Sequence, residues 1–177
     1  NEFIAIRRKG VRKFEFVNLP PMLKNKYNHC MIELKICIGI MVIGGNNSKS
    51  CEFFKKTKKI WKNLPDLNEI RENPSCCVIN DQKVFCFLGY NTEKKGYNNT
   101  IEKINLKSER PKWEIIAPIG INKNMERKAA SCLIYNKKGN DYIFIVGGVN
   151  NLGKETKDTT EEVKKAGSWS DGTEIPT

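Results

Sequence analysis

The stretch that decides the fold is Met41-Val42-Ile43-Gly44-Gly45, an apolar run ending in a glycine pair. Phe144-Ile145-Val146-Gly147-Gly148 is a second copy, and Phe85-Cys86-Phe87-Leu88-Gly89-Tyr90 is a weaker one between them. The first and weaker copies are each followed by a hydrophobic segment that begins with Trp and ends with Pro, Trp61–Pro65 and Trp113–Pro118. A period of about fifty residues predicts repeated sheets.

Each copy has the alternation typical of four short antiparallel strands, and no segment has a long apolar stripe at helical spacing. The predicted strands are Cys30–Leu34, Cys37–Ile43, Cys51–Phe54, Ile60–Leu64, Cys76–Ile79, Lys83–Leu88, Thr100–Leu106, Trp113–Ile116, Cys132–Tyr135 and Tyr142–Val146. An earlier partial copy also fits, because Phe16–Pro20 superimposes on Trp61–Pro65 with an offset of 45. We therefore expect the chain to start inside a repeat, and the absence of Met at position 1 leads us to expect a segment of a longer protein or a processed chain.

The chemistry of the repeat is that of packed sheets. Two glycines at a strand end permit positive φ and let a neighbouring backbone approach closely. Trp61 and Trp113 can bury their rings between adjacent sheets while each indole N–H donates to a carbonyl. An ordinary antiparallel sandwich with chance glycines is the alternative, and the ordered recurrence favours a propeller.

The pattern resembles the kelch repeat, whose tandem copies form the blades of a β-propeller. The residues that carry the resemblance are Gly44, Gly45, Trp61, Arg71, Gly89, Trp113, Arg127, Gly147 and Gly148, with Phe54 seven residues before Trp61. The departures are Gly89-Tyr90 where a glycine pair is expected, Phe54 and Leu106 in place of Tyr, and Phe16 in place of Trp. The resemblance implies that Arg127 is structural.

The predicted fold is all-β, a kelch-type propeller segment of about three four-stranded antiparallel blades in an incomplete ring. Residues 1–29 would form the outer half of a preceding blade and a connector, and 30–75 and 76–131 a blade each. Residues 132–177 would form a third blade, whose second half, around Thr160–Lys165 and Trp169, is either strand or tail. A ring needs about four to eight blades. We therefore expect the remainder to come from the missing part of the chain, or else from another chain at the open edges.

Composition indicates a globular chain. The given sequence contains no run of about 18 apolar residues and no basic-then-apolar start, so we expect neither a membrane span nor a signal peptide in this segment, and removal of an N-terminal signal stays open. The seven cysteines fall mostly in predicted strands, where thiols pack as small hydrophobic groups, and this usage favours a reducing compartment. There is no Cys-x-x-Cys pair, and His29 is the single histidine. We therefore expect no metal site, no cofactor and no catalytic triad.

The positive charge is concentrated in the repeat region. Residues 1–150 carry 27 of the 31 Lys and Arg residues but 14 of the 20 Asp and Glu residues. Lysines in turns ordinarily form a solvated surface and guard strand edges against pairing. The alternative is an anionic partner, an acidic protein surface, a lipid surface or a nucleic acid, of which nucleic acid is not favoured because no aromatic RNA-binding motif is present.

Function on a propeller resides mainly in the loops. The candidate contact residues are Lys94, Lys95, Tyr97, Lys123 and Asn124, in two long basic loops. The resemblance favours a non-catalytic protein–protein interaction module, a scaffold or subunit of a large intracellular assembly, cytoplasmic or cytoskeleton-associated. The alternatives are the substrate-recognition propeller of a ubiquitin-ligase or phosphatase adaptor, whose other domains lie outside this segment, and a propeller enzyme, for which the inner strands offer no convergent polar set.

Overall fold

The computed structural model describes residues 3–35, 37–118, 126–137 and 140–149, with backbone alone for 117, 118, 137 and 140. Throughout these ranges the regular structure is β-strand, and no helix occurs. The strands are β1 Phe3–Arg8, β2 Phe14–Leu19, β3 Cys30–Leu34, β4 Gly39–Ile43, β5 Cys51–Lys55, β6 Ile60–Leu64, β7 Ser75–Ile79, β8 Lys83–Phe87, β9 Tyr90–Asn91, β10 Gly96–Tyr97, β11 Thr100–Asn105, β12 Trp113–Pro118, β13 Ser131–Lys137 and β14 Asn140–Val146.

The strands form two four-stranded antiparallel sheets flanked by two hairpins. The first sheet has the order β3-β4-β5-β6 and the second the order β7-β8-β11-β12. The β9–β10 pair is a small additional hairpin inserted between β8 and β11. The β1–β2 hairpin precedes the first sheet, and the β13–β14 hairpin follows the second. In each sheet the strands therefore lie side by side in the order in which they occur along the chain, with the β9–β10 hairpin inserted between β8 and β11.

The sheets pack face to face in series, with a hydrophobic layer between each pair. Met41, Ile43, Val84 and Cys86 are among the residues buried between the two four-stranded sheets. A second layer around Phe87 separates the second sheet from the β13–β14 hairpin, and a third, around Val42, Phe54 and Trp61, separates the first sheet from the β1–β2 hairpin. Strands β4 and β8 are consequently buried on both faces, which explains why they read as continuous apolar runs.

Hydrogen bonds join the residues that precede β3, β7 and β13, which are the first strands of the two four-stranded sheets and of the last hairpin. Asn28, Asn73 and Ala129 precede β3, β7 and β13, and each has positive φ, at 55°, 49° and 57°. The Asn73 amide donates to the Asn28 carbonyl at 2.7 Å, and the Ala129 amide donates to the Asn73 carbonyl at 3.0 Å. Strand β7 packs against both β3 and β13. The three first strands therefore begin side by side at the same end of the molecule.

This arrangement gives the molecule two ends. The connector end holds the segments that lead into β3, β7 and β13, at 20–29, 65–74 and 126–130, and the loops at 44–50 and 88–99. The turn end holds the β1–β2, β3–β4, β5–β6, β7–β8 and β11–β12 turns. The alternating directions of antiparallel strands place these turns together, although they are far apart in sequence.

The structure confirms the all-β prediction and the four-stranded antiparallel sheets, and each of the ten predicted strands has a counterpart whose ends agree within about two residues. The residues that the structure describes do not form a closed ring. The β1–β2 hairpin lies within the predicted preceding half blade at 1–29, and β13–β14 lies within 132–177. The uncertain half of that last unit, including Thr160–Lys165 and Trp169, lies outside the described residues.

Two predicted equivalences within the repeat were wrong. The counterpart of Gly44-Gly45 is Leu88-Gly89, not Gly89-Tyr90, because the amides of Gly45 and Gly89 donate equivalently to the Arg71 and Arg127 carbonyls. The dihedral angles agree, since φ is 65° at Gly44 and 60° at Leu88. The counterpart of Phe54 opposite Trp61 is Ile104 opposite Trp113, not Leu106. The β11–β12 turn is longer than the β5–β6 turn, so counting seven residues back from Trp113 reaches Leu106 instead of Ile104.

Candidate functional site

Arg71 is the centre of a buried ionic cluster at the connector end of the second sheet. Its side chain is completely buried. Nε donates to Glu102 Oε1 at 3.0 Å, Nη1 to the Leu88 carbonyl at 2.9 Å, and Nη2 to Thr100 Oγ1 at 2.6 Å. Glu102 is also fully buried and accepts the Asn68 amide at 2.6 Å. The pair thus satisfies the groups that burial would otherwise leave unpaired.

The first sheet contains a matching cluster built on lysine. Lys26 Nζ donates to Ser50 Oγ at 2.6 Å and to the Gly44 carbonyl at 3.1 Å. Buried Glu52 accepts the amides of Leu23 and Lys24 at 2.9 and 3.1 Å. Burial is the main cause that lowers the pKa of Lys26. The two clusters place cation, hydroxyl, carbonyl and carboxylate at equivalent positions of the repeat.

A third position follows the same pattern, because Arg127 is buried and donates from Nη1 to the Gly147 carbonyl at 3.0 Å. Lys26 and Arg71 are separated by the same 45 residues as Phe16 and Trp61, and this spacing could have found Lys26. The sequence analysis missed Lys26, Glu52 and Glu102. Charged residues within apolar strands give no local sign that they are buried.

The indole groups connect successive units. Trp61 Nε1 donates to the Pro20 carbonyl at 2.8 Å, and Trp113 Nε1 donates to the Pro65 carbonyl at 3.0 Å. Gly44, Gly45, Gly89, Gly147 and Gly148 all have positive φ. Each residue that the resemblance singled out therefore makes backbone or packing contacts in this structure.

The β9–β10 hairpin stands out among the connector-end loops. Its strands are joined by a turn that contains Lys94 and Lys95, and Lys95 has a φ of 52°. The rings of Tyr90 and Tyr97 meet edge to face at 5.5 Å, and Lys128 Nζ lies 5.5 Å from the centre of the Tyr90 ring. Burial and the nearby Tyr90 raise the pKa of Tyr97. The hairpin thus presents two half-buried aromatic rings beside a cationic side chain.

The base of this hairpin is tied to the Arg71 cluster. Glu69 accepts from both Lys94 Nζ and Thr100 Oγ1, and Arg71 Nη2 lies 3.4 Å from its Oε2. Burial raises the pKa of Glu69, but these hydrogen bonds and the Arg71 charge outweigh it, so the net shift is downward. Asn98 Nδ2 also donates to the Ile70 carbonyl at 2.7 Å. The rigid cluster therefore positions the hairpin.

Three of the five candidate contact residues are brought together by the structure. Lys94, Lys95 and Tyr97 lie in the β9–β10 hairpin, where Lys95 is exposed, Tyr97 is half-buried and Lys94 is paired with Glu69. Lys123 and Asn124 lie outside the described residues. Tyr90 and Lys128 are the neighbours that the sequence analysis did not include. No sequence spacing pairs Tyr90 with Lys128, since Tyr90 lies in β9 and Lys128 in the connector before β13.

The cysteines are mostly internal. Cys51, Cys76, Cys77 and Cys86 are buried, whereas Cys37 is exposed in the β3–β4 turn. Burial raises the pKa of Cys51 to about 12, and a hydrogen bond with Cys132, followed by burial, raises the pKa of Cys77. In the ranges that the structure describes, no three His, Cys, Asp or Glu side chains are grouped so as to hold a metal ion.

The charges are distributed unequally between the two ends. Arg and Lys are concentrated at the turn end, at positions 7, 8, 9, 12, 13, 35, 55, 56, 58, 59, 107, 110 and 112. The acidic residues near these turns are Glu15, Glu33, Asp81, Glu109 and Glu114. At the connector end, the exposed lysines are nearly balanced by Asp66, Glu72, Glu93 and Glu126. The excess positive charge therefore lies at the turn end.

No protein-family model matches the chain, and no curated protein matches it significantly. Within the described ranges, no helix is long and apolar enough to cross a membrane.

Proposed function

We propose that this chain is a kelch-type propeller segment that serves as a non-catalytic protein–protein interaction module in a large intracellular assembly. The observation that carries the proposal is a constant scaffold with one variable insertion. Both four-stranded sheets place a cation, a hydroxyl and a carboxylate at equivalent positions, but the loop after the second strand differs. In the first sheet this loop is short, whereas in the second it forms the β9–β10 hairpin.

The composition of the hairpin supports a role in binding. Tyrosine presents a rigid, partly apolar ring with a hydroxyl group and is enriched where proteins contact one another. Tyr90, Tyr97 and Lys128 form a compact group at one end of the molecule, and Lys95 projects beside it. The buried network under the hairpin limits the conformational entropy that binding would cost.

The test is a comparison of the complexes formed by full-length protein in its native cells. A variant with Lys95→Gly and Tyr97→Ala removes two contact side chains, and glycine suits the positive φ at position 95. Tyr27→Ala is the control, because it removes an exposed tyrosine from the connector of the first sheet. Size-exclusion chromatography with quantitative mass spectrometry of co-eluting proteins provides the measurement.

We expect the double variant to lose specific co-eluting proteins that the parent and Tyr27→Ala proteins retain. The two variants should have similar thermal unfolding midpoints, which excludes loss of fold as the cause. Elution of the parent protein alone, at its own mass, would contradict the proposed function. Equal losses in both variants would contradict the assignment to the hairpin.

A further inference from the structure

The turn end of the first sheet carries a second surface, which we call the basic turn surface. Its residues come from the β3–β4 and β5–β6 turns and the start of β6, and are Lys35, Cys37, Ile38, Lys56, Lys58, Lys59 and Ile60. The two turns touch, because the Lys56 amide donates to the Ile38 carbonyl at 3.1 Å. Gly39 pairs with Lys55, and Lys55 pairs with Ile60 across the three neighbouring strands. The surface is therefore continuous.

Ile38 occupies a backbone conformation that does not suit it. Its φ is 47°, in the left-handed region, where a β-branched side chain is a real outlier. The corresponding turn of the second sheet places Asn80 and Asp81 at φ values of 52° and 54°, and these residue types tolerate that region. The Ile38 side chain is 54% exposed, so little burial compensates for the strain. Strained exposed residues of this kind occur at binding sites.

The charges around Ile38 are largely uncompensated. Lys56 forms an ion pair with Glu33, in which Lys56 Nζ lies 2.5 Å from Glu33 Oε1. Lys35, Lys58 and Lys59 are exposed and make no ion pair with any residue in the described ranges. Ile60, which is 40% exposed, is the second aliphatic side chain among them. The surface thus combines several cations with two exposed isoleucines.

We propose that the basic turn surface binds an acidic segment of a partner protein that also carries aliphatic side chains. The lysines attract its carboxylates, and Ile38 and Ile60 cover its apolar groups. A nucleic acid fits less well, because single-stranded binders stack bases on aromatic rings and these isoleucines have no ring to stack. The proposal rests on the proposed function, adding a second surface and the chemistry of its partner.

The experiment measures binding of three fluorescent probes to the full chain. The first is a short peptide of Glu and Leu, the second has Ser in place of Leu at equal charge, and the third is polyuridine of equal charge. Ile38→Asn removes the apolar side chain and relieves the strained backbone. Lys58→Ser with Lys59→Asn removes two charges from the basic turn surface. Its control, Lys107→Ser with Lys112→Ser, removes two charges from the β11–β12 turn of the second sheet.

We expect the Glu–Leu peptide to bind best and to lose about tenfold in affinity with Ile38→Asn, as removal of one aliphatic contact would predict. The Glu–Ser peptide should be unaffected by that variant, whose thermal unfolding midpoint should be no lower than the parent's. The Lys58 and Lys59 variant should weaken both peptides more than the control variant does. The bound Glu–Leu peptide should also protect Cys37, which is exposed within the surface, from maleimide.

Three results would overturn the inference: equal affinity for the Glu–Leu and Glu–Ser peptides, polyuridine binding at least as tight as the Glu–Leu peptide, or equal effects of the two lysine variants. Failure here is distinguishable from failure of the proposed function. If the hairpin variant still loses native partners while the peptides do not bind, the interaction module stands and the basic turn surface does not.

Discussion

Arg71 is the largest completely buried side chain among the described residues, and it donates to Glu102, Leu88 and Thr100. Removal of one member of a buried ion pair leaves the other charge uncompensated. We predict that Arg71→Met lowers the free energy of unfolding by about 3–5 kcal/mol. Chemical denaturation monitored by tryptophan fluorescence provides the measurement.

Arg71→Lys is the matched control, because the equivalent position of the first sheet contains Lys26 in the same role. We expect a smaller loss, since lysine retains the charge but cannot donate to all three acceptors at once. If Arg71→Met were as stable as Arg71→Lys, the ionic cluster would not be a source of stability.

The half-buried His29 is expected to make the stability of the fold depend on pH. Its pKa lies below 6.5 because burial disfavours the imidazolium and Lys26 repels it, and its buried Nδ1 has no hydrogen-bond partner in the part of the chain that the structure describes. The unfolded chain therefore binds a proton more readily than the folded chain does. The contribution of His29 to stability is complete above about pH 6.5 and is lost as the pH falls through the lower folded pKa.

The expected result is a decrease in the free energy of unfolding between about pH 7 and pH 5. His29→Gln should flatten this part of the profile, and the assignment is direct because the chain contains a single histidine. Denaturation curves at several pH values measure it. An unchanged slope in the variant would show that another group titrates there.

At the scale of the strand ends, Gly45 and Gly147 both have positive φ but differ in how closely other atoms approach them. Gly45 has a φ of 86°, and a Cβ there would lie 2.4 Å from the Tyr27 carbonyl oxygen. Gly147 has a φ of 72°, but a Cβ there would meet no atom of the described residues within 4 Å. A side chain at position 45 would therefore meet both backbone strain and a clash, whereas a side chain at position 147 would meet backbone strain alone.

We predict that Gly147→Ala costs about 1–2 kcal/mol of unfolding free energy, the usual cost of a left-handed alanine. Gly45→Ala should cost clearly more, because the backbone of the connector must move. Thermal unfolding of the two variants, with the parent as reference, makes the comparison. Equal losses of unfolding free energy in the two variants would mean that the 20–29 connector moves to accommodate the Cβ at little energetic cost.

The strand patterns were accessible to sequence reasoning, but their register was not. Apolar runs and Trp-to-Pro segments located ten strands because sheet burial imposes those patterns locally. The equivalence of Leu88-Gly89 with Gly44-Gly45 depends on which amide meets the Arg71 and Arg127 carbonyls. Leu88 at positive φ gives no sign in the sequence, because leucine rarely adopts that conformation.

At the scale of the whole molecule, the order of the sheets predicts an order of local stability. The second sheet is covered on one face by the first sheet and on the other by the β13–β14 hairpin. The β1–β2 hairpin is covered on one face, and Ile6, Phe14 and Phe16 on its other face are exposed. Local opening is easiest where few buried contacts are lost.

We predict that backbone amides of β7 and β8 exchange with deuterium most slowly and those of β1 and β2 fastest among the sheet strands. Hydrogen exchange with peptide mass spectrometry provides the measurement. Slower exchange in β1 and β2 than in β8 would indicate that the exposed face of that hairpin is covered in solution.

The all-β class, the repeat spacing and the strand positions followed from local patterns in the sequence, since burial between sheets imposes apolar runs and favours glycine at strand ends. The sequence also located the basic hairpin through its length and composition. Only the tertiary structure paired Glu102 with Arg71, showed that Lys26 has the same role, and brought distant lysine-rich turns to one end with Ile38 and Ile60. Those relations depend on strand direction and hydrogen-bond register, which join residues that no local pattern connects.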